Sequence, residues 1–164
     1  MKRKLIFCLF TIGTLLISDV NATQAGHNFD RTAYYQVLKN RSIEDIEKQL
    51  FLIDASNIKE KEAYIGTLLM KKADLVKKAK EKLKLFKSGR IKLETSIQSD
   101  ATNTEYRFLR LIIQEHAPKS AKYSAQIDTD SDYIKKNYSK LSSDVQEIVK
   151  DYSKTSNKLH PEDF

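Results

Sequence analysis

The chain holds few of the residues that staple, kink or redirect a fold. Of its 164 residues, one is cysteine, two are proline, four are glycine, three are histidine and none is tryptophan. A single cysteine, Cys8, excludes a disulfide within the chain. Scarce glycine and proline leave little material for the tight turns that strands need. His27, His116 and His160 stand at no zinc-ligand spacing. There is no G-x-S-x-G, no Walker loop and no dinucleotide fingerprint. The sequence therefore assigns no catalytic residue, no cofactor and no metal ligand. Carboxylates that meet only in three dimensions, as in a carboxylate-type glycan hydrolase, stay open as a reading.

Hydrophobic residues first appear in force near the start. "MKRK" is a basic lead, Leu5 to Ile17 is an apolar run, and Val20 and Ala22 are small residues before a cleavage point. As a helix that run spans about 20 Å, short of a hydrocarbon core of roughly 30 Å. Residues 1–22 are thus expected to be a cleaved signal peptide, with Ala25 an alternative end. The product is exported, periplasmic or secreted, and of bacterial type. No transmembrane span is expected after cleavage. Removal takes Lys2, Arg3, Lys4 and Asp19 with it, and Cys8 too, so thiol catalysis is excluded. The net charge falls from +7 to about +5.

What remains reads as helix. Residues 23–29 form a flexible start, 30–156 one helical domain and 157–164 a frayed tail. Asp30 and Ser42 suit N-caps, the latter followed by a stripe of Ile43, Ile46, Leu50 and Ile53. Asn57 is expected to cap a third helix and the face Leu83, Phe86, Leu93 and Ile97 to mark a fourth. Thr102 and Glu105 match a capping box for a fifth, ended by Pro118. Asp130 or Ser131 opens a sixth and Ser142 or Ser143 a seventh. The pattern predicts an all-α protein of six or seven helices stacked as antiparallel pairs, in a short solenoid or an irregular bundle.

Within "LETSIQSDATNTEYRFL", Ile97, Asp100 and Asn103 hold the places of the apolar-x-x-Asp-Pro-x-Asn turn between tetratricopeptide repeats. Gly89 and Ser96 fall where that family has small residues, and Ala73 can take another such place if the hairpin is lengthened. Ala101 stands where the family has proline, and its aromatic positions are mostly unmatched. Over residues 60–116 the chain resembles that family, which implies stacked helix pairs and protein or peptide binding. More loosely, the whole chain resembles small secreted helical proteins of Bacteroidota that have no assigned activity.

Stepped at 100° per residue, the apolar side chains of 106–113 cover about 220° of a helix. Such a helix is expected to be central, with Arg107, Arg110 and Gln114 on its narrow polar strip. That strip, with exposed tyrosines, is the predicted contact surface for a protein or peptide partner. Glu105 and His116 sit at opposite ends of the helix and suit its dipole. They lie too far apart to act as one acid–base pair. Lys72 and Arg90 fall within apolar faces, so at least one is expected to form an ion pair with Glu94, Glu105 or Glu115.

Residues 71–87 hold eight lysines against two acids. Lys71, Lys77, Lys78 and Lys82 are the predicted contacts for an anionic envelope surface, lipid or polysaccharide. No aromatics alternate with the lysines, so no nucleic-acid partner is expected. "DTDSD" imitates an EF-hand loop, but Tyr133 and Ser139 occupy the glycine and glutamate positions. The cluster reads instead as the acidic cap of the sixth helix.

Overall fold

The computed structural model describes residues 29–164, and the predicted signal peptide and residues 23–28 lie outside them. The protein is all-α. Among the described residues seven α-helices follow in order: α1 (Arg31–Lys39), α2 (Ile43–Asp54), α3 (Lys61–Leu75), α4 (Ala79–Ser99), α5 (Thr104–His116), α6 (Ile127–Asn137) and α7 (Ser143–Tyr152).

The side-chain caps explain three of the starts. Asp30 accepts from the Ala33 amide at 2.9 Å and Ser42 from the Asp45 amide at 3.1 Å, as expected. At α5 the cap is Asn103, which accepts from the Tyr106 amide at 3.2 Å. Thr102 lies one residue too early and donates instead to Asp100. Asn57 does not cap α3, which starts at Lys61 with no side-chain cap. The sixth helix begins at Ile127, ahead of the expected Asp130.

Among the described residues, α3 and α4 form the most extensive helix pair. At its crossing Gly66 faces Gly89. A Cβ on Gly66 would stand 2.7 Å from the Gly89 carbonyl and 2.9 Å from the Leu93 amide. Hydrogen in place of a side chain lets the two backbones approach this closely. Around the crossing, Ala63 and Leu68 of α3 and Leu93 and Ile97 of α4 are buried.

α5 is the hub. Phe108, Leu109 and Leu111 are fully buried, each contributing about 2 kcal/mol of hydrophobic burial. Side chains reach it from α1 (Tyr35 against Phe108), α3 (Tyr64 on Glu105), α4 (Glu94 on Arg110), α6 (Asp130 on Arg110) and α7 (Tyr152 against Phe108). The first and last helices also meet, through Lys39 and Asp151. Two expectations are corrected. Leu83 is not part of a core face: it lies on the outward side of α4, away from Gly89, Leu93 and Ser96, and is 69% exposed. Residues 157–164 are docked: Leu159 is fully buried, Phe164 packs on Tyr138 at 4.6 Å, and Lys158 and Asp163 pair with Asp128 and Lys135.

Candidate functional site

The polar strip of α5 is not a solvent strip. α6 lies antiparallel against it, setting Arg107 opposite Tyr133, Arg110 opposite Asp130 and Gln114 opposite Gln126. Arg110 is buried and donates from Nε and Nη2 to the two oxygens of the fully buried Asp130, at 2.6 and 2.8 Å. Its third donor meets Glu94 at 2.8 Å. Burial works against the Arg110 charge, but Asp130 and Glu94 more than offset it and hold the guanidinium protonated. Arg107 stacks over the Tyr133 ring at 4.2 Å and also bonds Asp130. Gln114 is buried and donates to Gln126 at 3.0 Å. These three are corrected from partner contacts to parts of the helix interface. Asp130 belongs to the same correction: it sits inside α6 as the acceptor for two arginines, not as a cap.

The expected contribution of exposed tyrosines fails with them. Tyr34, Tyr35, Tyr64, Tyr106 and Tyr123 are all buried. Tyr64 and Tyr35 donate to one oxygen of the buried Glu105, at 2.6 and 3.1 Å, while Arg31 lies 3.6 Å from the other. Burial raises the Glu105 pKa, against the pull of Tyr64, Arg31 and Tyr35. Glu115 accepts from Ser156, from the Asn157 amide and from Tyr152, and so ties α5 to the chain after α7.

Lys72, Arg90, Glu105 and Glu115 are not brought together. Lys72 does pair with a carboxylate, but with Glu47 of α2 at 2.7 Å. Arg90 is exposed and lies over the Tyr123 ring at 4.7 Å. Among the described residues, no three or more His, Cys, Asp or Glu side chains are placed to hold a metal ion.

What the sequence did not single out is a trough of about 630 Å³ between the α3–α4 hairpin and the end of α5. Such a volume lies within the range of ligand sites. Met70, Ala73, Phe86 and Ile113 make its apolar floor, and Pro118 and Ala121 extend it. Its rim is cationic: Arg41, Lys71, Lys82, Lys87 and Arg90, with Asp74 as the one acid. Asp74 is taken by Arg41 at 3.3 Å. Lys71 is half-buried and forms no ion pair within the described residues. Burial lowers its pKa, with Asp74 pulling up and Arg41 down. Lys71, Ile113 and His116 also wall a second hollow of about 360 Å³ between α1, α5 and α7, where Asp151 is the one acid.

Of the four lysines predicted to meet an anionic surface, Lys71 and Lys82 therefore line the trough. Lys77 and Lys78 are exposed in the joint between α3 and α4. The trough was invisible because its wall joins residues 41 to 121. The hint available was Lys71 on a helix face next to the buried Met70. Comparison of the chain with protein-family models, with curated proteins and with solved structures returns no match.

Proposed function

We propose that this chain is an exported, non-enzymatic helical module that binds a segment of another protein, and that its grip is the trough between α3, α4 and α5. The observation that carries this is an apolar floor inside a cationic rim, where the half-buried Lys71 forms no ion pair among the described residues. The complementary segment carries an apolar anchor beside acidic side chains. The rim charges come from Arg41, α3 and α4 and are spaced over several helical turns, which suits several carboxylates of a peptide better than one headgroup.

A binding role also accords with how the acids are used. Glu105, Glu115, Glu94 and Asp130 each close an internal network, and neither hollow has two acids facing across it. A glycan hydrolase requires such a pair. The tetratricopeptide-like resemblance of residues 60–116 points the same way.

A photoactivatable residue in place of Ala79, at the trough, tests the proposal against the same group at Phe51, which is 74% exposed elsewhere. Irradiation among envelope proteins is expected to give discrete protein adducts from position 79 and not from 51. No adduct, or the same pattern from both positions, refutes the proposal.

A further inference from the structure

Four large hydrophobic side chains are exposed among the described residues: Ile43, Phe51, Leu83 and Ile91. Two of them share one strip of α4. At 100° per residue, Leu83, Lys87, Lys80, Ile91 and Lys84 fall within an arc of about 100° on the helix, over a length of about 16 Å. The opposite side, with Gly89, Leu93 and Ser96, packs into the protein. Leu83 is 69% and Ile91 56% exposed, and Lys80, Lys84 and Lys87 are exposed between them. Lys77 and Lys78 continue the positive surface at the N-terminal end of the helix. Glu94 falls within the same arc, about one turn beyond Ile91, but its carboxylate is occupied by Arg110 and Tyr123. Glu81 lies outside the arc.

We infer that this outward strip of α4 is a docking face for an anionic lipid surface. Two protruding aliphatic side chains flanked by lysines are the composition of a helix that lies in the headgroup plane. Lysine is depleted in the cores of protein interfaces, so the same strip is a poor fit for a protein partner. Each lysine held near an anionic bilayer adds attraction that salt screens. No helix among the described residues is long and apolar enough to cross a membrane, α4 included. Leu83 and Lys87 form the lip between this strip and the trough, so lipid contact and segment binding are expected to influence each other.

The absence of tryptophan makes the test direct. Leu83→Trp, Ile91→Trp and Phe51→Trp are each made as the sole tryptophan in the full chain, all at exposed positions. Vesicles containing phosphatidylglycerol are expected to blue-shift the emission of the first two variants and not the third. Vesicles of phosphatidylcholine alone should give no shift, and high salt should reverse it. Combining Lys80→Gln, Lys84→Gln and Lys87→Gln should weaken vesicle pelleting by about 100-fold, from about fivefold per lysine. No shift with phosphatidylglycerol overturns the inference, as does an equal shift with neutral vesicles or from Phe51→Trp. A shift that grows with protein concentration without vesicles also overturns it, since a second copy would then cover the strip.

Discussion

Replacing Gly89 with alanine should destabilise the protein although alanine is the better helix former. In an unhindered helix the exchange gains roughly 0.5–1 kcal/mol. Here the new methyl overlaps the Gly66 carbonyl, and its next neighbours are the Met70 side chain and backbone. Met70 can yield; a carbonyl fixed in a helix cannot. The hairpin must open by several tenths of an ångström or more, which loosens the layer of Ala63, Leu68, Leu93 and Ile97. Overpacking of this kind costs about 1–3 kcal/mol. The backbone contact places Gly89→Ala toward the upper end, a net loss of about 2 kcal/mol. Gly66→Ala meets two backbone atoms below 3.0 Å and should lose as much. The double variant should cost less than the two losses combined, because the first methyl already separates the helices. Urea unfolding followed by far-ultraviolet circular dichroism measures all three, with exposed Ser88→Ala as the propensity control. Alanine variants as stable as the parent, or more stable, would show that the helices do not meet through their backbones.

Two further outcomes concern the buried charges. Asp130→Ala leaves the buried Arg110 with Glu94 alone and should cost about 3 kcal/mol; adding Arg110→Met should recover most of that loss in the same unfolding assay. Glu105 has a folded pKa raised by burial, so its contribution is fullest at low pH and is lost as pH rises through the folded value. The stability of the parent minus that of Glu105→Gln should therefore fall from roughly pH 4 upward. A difference that is flat or rises with pH removes desolvation as the cause.

The helices were legible because their signals are local. Asp30 and Ser42 cap where an acid or hydroxyl precedes an apolar stripe, and the wide apolar arc of 106–113 announced a central helix. Its polar strip misled because a sequence shows which residues share a face and not what covers it. The pattern sets Arg107, Arg110 and Gln114 toward solvent, while their partners lie on a helix that starts before its acids suggest. Asp130 was read as a cap because acids gather at helix starts, yet α6 begins three residues earlier at Ile127, with no side-chain cap to mark it. With that start known, Arg110 and Gln114, four apart, match Asp130 and Gln126, four apart in the opposite sense, and this register was present in the sequence. The tail reads as frayed in the sequence, yet single anchors, Leu159 and Phe164, hold it. The trough had no local signal, since its walls come from four separate segments.

Amine footprinting of the full chain tests the binding role of the trough most directly. Lysine acylation is compared with and without envelope proteins freed of membranes, and each site is quantified by mass spectrometry. Protection is expected at Lys71, Lys82 and Lys87 on the rim, while Lys48 and Lys136, exposed on α2 and α6, react as before. Uniform protection, or protection confined to Lys48 and Lys136, would contradict a role for the trough in binding.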